Sequence, residues 1–375
     1  MIKRLIAFLS LILASCTESV DLIVYNAEVY TSDISNVKAT SFAVKDGEFI
    51  YVGNESAISK FNSQNIINAE GLPIFPGFID SHAHFYNLGY FTNQVDLKGT
   101  KSFEEVKDRV IEYNNLNDVN FIIGRGWDQN DWDSKSFPTN EILNDAFPDK
   151  AVVLRRIDGH AYIVNDFALN LAGIESSSNI DGGEFLTLNG RLTGVLIDNA
   201  MRLIDNIIPE PSSEESIRAL LSAQDLAFEN GLTTISEAGI NRKQIELIDS
   251  LQKADVLKIK IYAMIDNGPD VDYYINSGPY KTDRLNVRSV KVYADGALGS
   301  RGASMIDGYS DRKGYNGIIR TPIDSIRKLA FKLSGTKFQM NTHAIGDNAN
   351  RIVLEAYRDA LFDFRDPRWR VEHAQ

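Results

Sequence analysis

From Leu72 onward, apolar β-rich runs alternate with amphipathic helical stretches. That alternation restricts the chain to parallel βα units, because each run must be covered by helices before the next strand joins the sheet. The runs are FPGFIDSHAH, TTIS (233–236), KIYAM (260–264), SVKVYA (289–294), FQMNTH (338–343) and RVEHA (370–374), six parallel-type strands in order. Capping boxes at Ser102…Glu105 and Ser212…Glu215 announce helices, and Gly231 and Gly335 close them. Before Leu72 the pattern is different. LIVYNAEVY and SFAVKDGEFIYVG, the second with an Asp46-Gly47 hairpin signal, read as a small all-β module. Residues 86–200 contribute FIIGRG, AVVLRR and a glycine-rich hairpin between Asp181 and Gly194.

Charge and composition exclude several function classes. Among 375 residues, 51 acids against 39 Lys plus Arg give a net charge of −12. Nucleic acids and anionic membrane surfaces need a cationic face, so neither is an expected partner. A single cysteine rules out an internal disulfide. The N-terminus itself reads as a leader: Lys3 and Arg4, an apolar run from Leu5 to Ala14, then Ser15 and Cys16. Residues 1–15 are thus expected to be a signal peptide, too short to span a bilayer. Leu13-Ala14-Ser15-Cys16 also resembles a bacterial lipobox, which makes Cys16 the expected lipidation site. The expectation is an exported protein, anchored by lipid alone to the periplasmic or surface side of the envelope.

There are five histidines. His82 and His84 lie two apart on a strand and so share a face with each other and with Asp80. Paired imidazoles suit a divalent ion, and the Asp80 carboxylate is placed to orient one ring. His343 and His373 stand at the C-terminal ends of later strands, where a parallel barrel gathers its catalytic groups. Lys291 interrupts the apolar run SVKVYA. It is either an edge lysine or a buried one facing the same centre, its amine carbamylated to bridge two ions. Tyr293 and Asp295 share its face by parity. Neither a Walker loop, a His-Glu-x-x-His nor a Gly-x-Ser-x-Gly is present, and Gly124-x-Gly126 lacks the third glycine of a dinucleotide loop.

PGFIDSHAH, VKVYADGALGSRGA, NTHAIGD and RVEHAQ, in that order, resemble the amidohydrolase superfamily. Within it they are most similar to the amidohydrolase 3 branch of N-substituted formamide deformylase-like and exoenzyme-regulator-like proteins. The resemblance implies an α/β fold: a distorted (β/α)8 TIM barrel of the metal-dependent hydrolase type (72–375), beside a β-sandwich whose first part is 16–71. It makes 86–200 an insertion between strands one and two. It implies a centre of one or two divalent ions, zinc foremost, held by His82, His84, Lys291, His343 and His373, with Lys291, His343 and His373 in catalytic roles. His160 resembles a substrate-facing histidine, with a turn-capping role as its alternative. Trp127 and Asp295 are further candidates for substrate contact, against simple packing and an ordinary loop start. The implied reaction is hydrolysis of a non-peptide C–N bond in an amide-like small molecule; a homodimer is one open assembly. The rival readings are an ester or phosphoester hydrolase on the same centre and a non-catalytic anchored binding protein. The general-base aspartate that such barrels carry after strand eight has no counterpart here, and the sequence reads as a C-terminally truncated member.

Overall fold

The computed structural model describes residues 17–375 apart from 36, 37, 118, 160, 179, 181, 182, 199, 299–301 and 311. The leader, Cys16 and His160 therefore lie outside the described residues. The chain divides into two compact units, one running to Ile79 and the other spanning Asp80–Gln375; the sequence places this change at Leu72.

The first unit is all-β. Leu22–Tyr25 lies between Ser41–Lys45 and Ile66–Asn68 in a four-stranded sheet, and Glu28–Tyr30 centres a three-stranded one. Val24 and Phe42 from the first sheet share an apolar cluster with Val29 and Ala39 from the second. Asp46 (φ 52°) and Gly47 (φ 79°) close the hairpin between Ser41–Lys45 and Glu48–Gly53, both in the left-handed region a tight two-residue turn demands.

The second unit is built on a seven-stranded sheet, six of whose strands follow one another in chain order: β1 (Phe78–Ala83, entering across the boundary), β2 (Leu232–Ile240), β3 (Lys260–Asp266), β4 (Leu285–Tyr293), β5 (Gln339–Ala344) and β6 (Arg370–His373); the two-residue strand Tyr280–Lys281 pairs antiparallel with β4. The pairings from β2 to β6 are parallel. This is the distorted TIM-barrel architecture expected from the sequence, nearly closed. All six strands fall on the predicted runs. Helices α1 (Phe85–Thr92), α2 (Ser213–Glu229), α3 (Arg242–Lys253), α4 (Asp270–Ser277), α5 (Ile323–Ser334) and α6 (Asp347–Ala360) accompany them. Ile245 and Ile248 of α3, Ile326 of α5 and Val353 of α6 pack with Ile261, Val290 and Met340 of the strands in one core. Among the described residues, no helix is long and apolar enough to cross a membrane.

The insertion forms its own sheet, ordered Val95–Asp96, Phe121–Trp127, Ala151–Arg156, Ala161–Val164, Arg191–Asp198, Gly183–Leu188. Its last two strands are the glycine-rich hairpin, turned at Asn189 (φ 53°) and Gly190 (φ 79°). The insertion sheet starts after α1, because Phe85 and Tyr86 pack in the barrel core; residue 86 therefore belongs to the barrel.

Both sequence-predicted helix starts carry their serine cap. At α2 the box is complete: Ser212 Oγ accepts from Glu215 N at 3.2 Å, and the Glu215 carboxylate accepts from Ser212 N at 2.8 Å. Gly231 follows α2 with φ 73°, but Gly335 after α5 has φ −78° and makes no use of glycine's freedom. Ser212→Ala should cost about 1 kcal/mol in urea unfolding; an unchanged midpoint would show that α2 takes its stability from packing alone.

Candidate metal centre

The site assembles where β1, β4, β5 and β6 end. His82 is the last residue but one of β1, and His84 sits at the N-cap position of α1. Register sets Tyr293 opposite His343 and Ala344 opposite His373. The rings form a continuous row. His84 is 5.6 Å from His82 between centroids, His82 4.6 Å from His373, His373 4.6 Å from His343, and His343 5.5 Å from Tyr293.

Lys291 lies beneath this row. It has 0% of its surface exposed, so the edge-lysine alternative is out. Its Nζ is 3.3 Å from His82 Nε2 and 5.0 Å from the Tyr293 ring centroid. Burial pushes the amine down to about 8, against the pull of Glu372, Asp266 and Glu237. Room for this arrangement comes from Gly239 on β2 (φ 105°): a Cβ there would sit 2.6 Å from Asp266 Oδ1 and 3.5 Å from Lys291 Cγ.

Two carboxylates that the sequence reading did not single out shape the site. Glu372 on β6 is paired through Oε2 with His82 Nδ1 and accepts at Oε1 from Arg370 Nε at 2.7 Å. Burial pushes this carboxyl up, but the His82 hydrogen bond and the Arg370 guanidinium outweigh it and hold it below the usual range. Strand alternation would turn Glu372 away from the face of His373. The alternation fails because His373 has φ 71°. Glu237 on β2 is 1% exposed and accepts at Oε2 from the Phe85 and Tyr86 amides, fixing the start of α1 directly after His84. Its Oε1 has no hydrogen-bond partner among the described residues. A carboxylate inside the otherwise uncharged run LTTISEAGI is the same signal that Lys291 gave, and it would have found Glu237.

Three sequence expectations need correction. Asp80 does not orient an imidazole: its Oδ1 accepts from the backbone N of His82 at 2.9 Å, and the ring is held by Glu372. Trp127 does not line a pocket. It is fully buried in the insertion's own core, stacked on Trp132, with Nε1 donating to the Leu154 carbonyl at 2.9 Å. Asp295 is not open to a substrate either; it borders the site through His343, whose Nε2 lies 3.5 Å from its Oδ1. It has no exposed surface, and its oxygens accept from the backbone N of Ser304 (2.8 Å), Ile345 (3.0 Å) and Gly346 (2.8 Å). Its role is to tie the loops after β4 and β5 together.

In donor chemistry the cluster fits a divalent ion. Burial lowers the basicity of His84 and His343 and takes His373 to about 4, so these imidazoles are neutral and offer lone pairs. A carboxylate behind a histidine is a common support for a ligating ring. As they stand, however, no three His, Cys, Asp or Glu side chains among the described residues converge on one point. The Gly296 carbonyl accepts from His343 Nε2 at 3.3 Å, and Glu372 occupies His82 Nδ1.

Residues 65–375 match the model of the Amidohydrolase family. The chain belongs to that family. It is 30% identical to Protein LONG AFTER FAR-RED 3 of Arabidopsis thaliana, over 95% of this chain and 64% of that protein. It is 26% identical to the N-substituted formamide deformylase of Arthrobacter pascens, over 96% of this chain and 69% of the enzyme. The chain thus spans about two thirds of the length of these relatives. In structure it resembles an uncharacterized metal-dependent hydrolase from Pyrococcus furiosus, with a TM-score of 0.75 and 26% identity over 90% of this chain and 70% of that one. These findings agree with the superfamily and branch expected from the four motifs.

Glu237 generates a pH prediction. Burial pushes its carboxyl up from 4.5 to about 8. Between those values the unfolded chain has released the proton that the folded protein keeps, so stability falls as pH rises, by at most about 1.4 kcal/mol per pH unit. In metal-free protein, Glu237→Gln should flatten this decline while its carbonyl still accepts from Phe85 and Tyr86. Parallel urea-unfolding profiles for variant and parent across that window would refute it.

Proposed function

We propose that the protein is a metal-dependent hydrolase that cleaves a non-peptide C–N bond in a small amide-like molecule. The observation that carries this reading is a fully buried lysine 3.3 Å from one histidine of a four-histidine row at the strand ends of a barrel. Family membership and the printed name of the Arthrobacter relative support the amide class. His82, His84, Lys291, His343 and His373 would hold one or two divalent ions, with zinc the favoured metal. When bound, such an ion polarises the substrate carbonyl and lowers the pKa of water from 15.7 to about 7.

The chain's own groups set the remaining conditions. An ammonium beside a dication is repelled, so Lys291 must lose its charge to serve as a ligand. With its amine lowered to about 8, a useful fraction is neutral near physiological pH. The neutral nitrogen can add to carbon dioxide and shed one proton, giving a carbamate with two oxygen donors. Glu372 and the Gly296 carbonyl keep the His82 and His343 rings in fixed orientations.

Lys291→Ala should abolish zinc content and amide turnover, and short carboxylic acids should partly restore both. Retention of metal by Lys291→Ala, read by elemental analysis, would remove Lys291 from the ligand set. The double variant His82→Ala/His84→Ala should likewise lose its zinc. A panel of amides, esters and phosphoesters separates the reaction classes: turnover of esters alone would overturn the C–N assignment, and no turnover by metal-loaded protein would favour a binding role.

Export with lipid attachment at Cys16 is proposed from the leader pattern. Cys16→Ala should move the protein from the membrane fraction to the soluble one, and unchanged partitioning would refute the anchor.

A further inference from the structure

The pairing of His82 with Glu372 links side chains from the two ends of the sheet order, β1 and β6. We infer that Glu372, braced by Arg370, is a positioning residue that fixes His82 in the tautomer protonated at Nδ1, with the Nε2 lone pair turned to Lys291.

Two contacts require the same tautomer independently. An ionised carboxylate only accepts, so the His82 nitrogen paired with Glu372 must carry the proton. On the opposite side of the ring, Nε2 lies 3.3 Å from Lys291 Nζ; whenever that amine carries its charge it only donates, so Nε2 accepts. Glu372 is itself held in place. It is 6% exposed, and Arg370 Nε reaches its other oxygen at 2.7 Å. The Arg370 guanidinium lies 5.6 Å from the Tyr262 ring centroid, and one of its nitrogens is 3.7 Å from Met264 Sδ, both on β3. The row Arg370–Glu372–His82–Lys291 therefore runs from β6 through β1 to β4. Asp80, the acid nearest to His82 in sequence, is committed to the backbone N of His82 and does not compete for the ring.

The Glu372 contact fixes the tautomer whether or not Lys291 is charged. Its consequence for metal binding rests on the proposed function: Nε2 is the nitrogen His82 would offer an ion, and outer carboxylates of this kind change affinity by about 10–100-fold.

The test uses the full chain labelled with 15N-histidine and stripped of metal. Two-bond proton–nitrogen correlation spectra report the tautomer, and the His82 signals are those missing in His82→Gln. The parent should show His82 protonated at Nδ1. Glu372→Gln can both donate and accept, so both tautomers should appear, and binding of Zn2+ alone should weaken about 10–100-fold. Arg370→Gln, which leaves the carboxylate in place, should shift the tautomer populations less and serves if Glu372→Gln does not fold. A parent spectrum protonated at Nε2, or Glu372→Gln with the parent's pattern and the parent's zinc affinity, would overturn the inference. A parent that takes up no Zn2+ would refute the metal reading, while its tautomer pattern still decides this one.

Discussion

A lysine without solvent is the constraint around which this site is arranged. Removing an ammonium from water is costly unless acids or acceptors surround it. Lys291 at 0% exposure is accordingly met by His82 Nε2 and by the fields of Glu372 and Asp266 from two other strands, with Glu237 from a third close by. Each of those acids needs its own support. Glu372 has Arg370, Glu237 has the first amides of α1, and Asp266 has the space left by Gly239. Replacing Lys291 would therefore leave groups on several other strands without the partner that balances them.

The barrel was legible because most of its strands are buried on both faces and read as short, largely apolar runs, so that a charged residue inside one stands out. Leu285–Tyr293 is an example: Val290 and Val292 flank Lys291 in the core, so the one charged letter inside the run SVKVYA marked the site. The four clustered histidines were found in the same way. What the sequence could not supply was the identity of partners across the sheet. Asp80 was the natural candidate to hold His82, being two residues away, but the group that does so lies 290 residues later. Glu372 was hidden by strand parity, which assigns neighbours to opposite faces; the positive φ of His373 breaks that rule at its last position. Trp127 and Asp295 failed for a different reason. An aromatic after a glycine turn and an aspartate at a loop start look the same whether they face a cavity or the interior, and burial decided for the interior.

The insertion shows how a large sequence excursion leaves the barrel unaltered. Its sheet has separate apolar clusters, one around Trp127 and Val106 and one around Leu169 and Met201. Because it buries its own surface, the chain departs after α1 and returns in time for α2 and β2 to take their places in order. The register from β2 to β6 then proceeds by parallel pairings.

Asp295 has a consequence of another kind. Because its two oxygens bind amides from the segments after both β4 and β5, those loops share one fastening and cannot be displaced independently. Anything that lifts Ser304 also pulls on Ile345 and Gly346, next to His343. The rim of the site thus has mechanical linkage across strands, and evolutionary change in one loop is constrained by the geometry of the other.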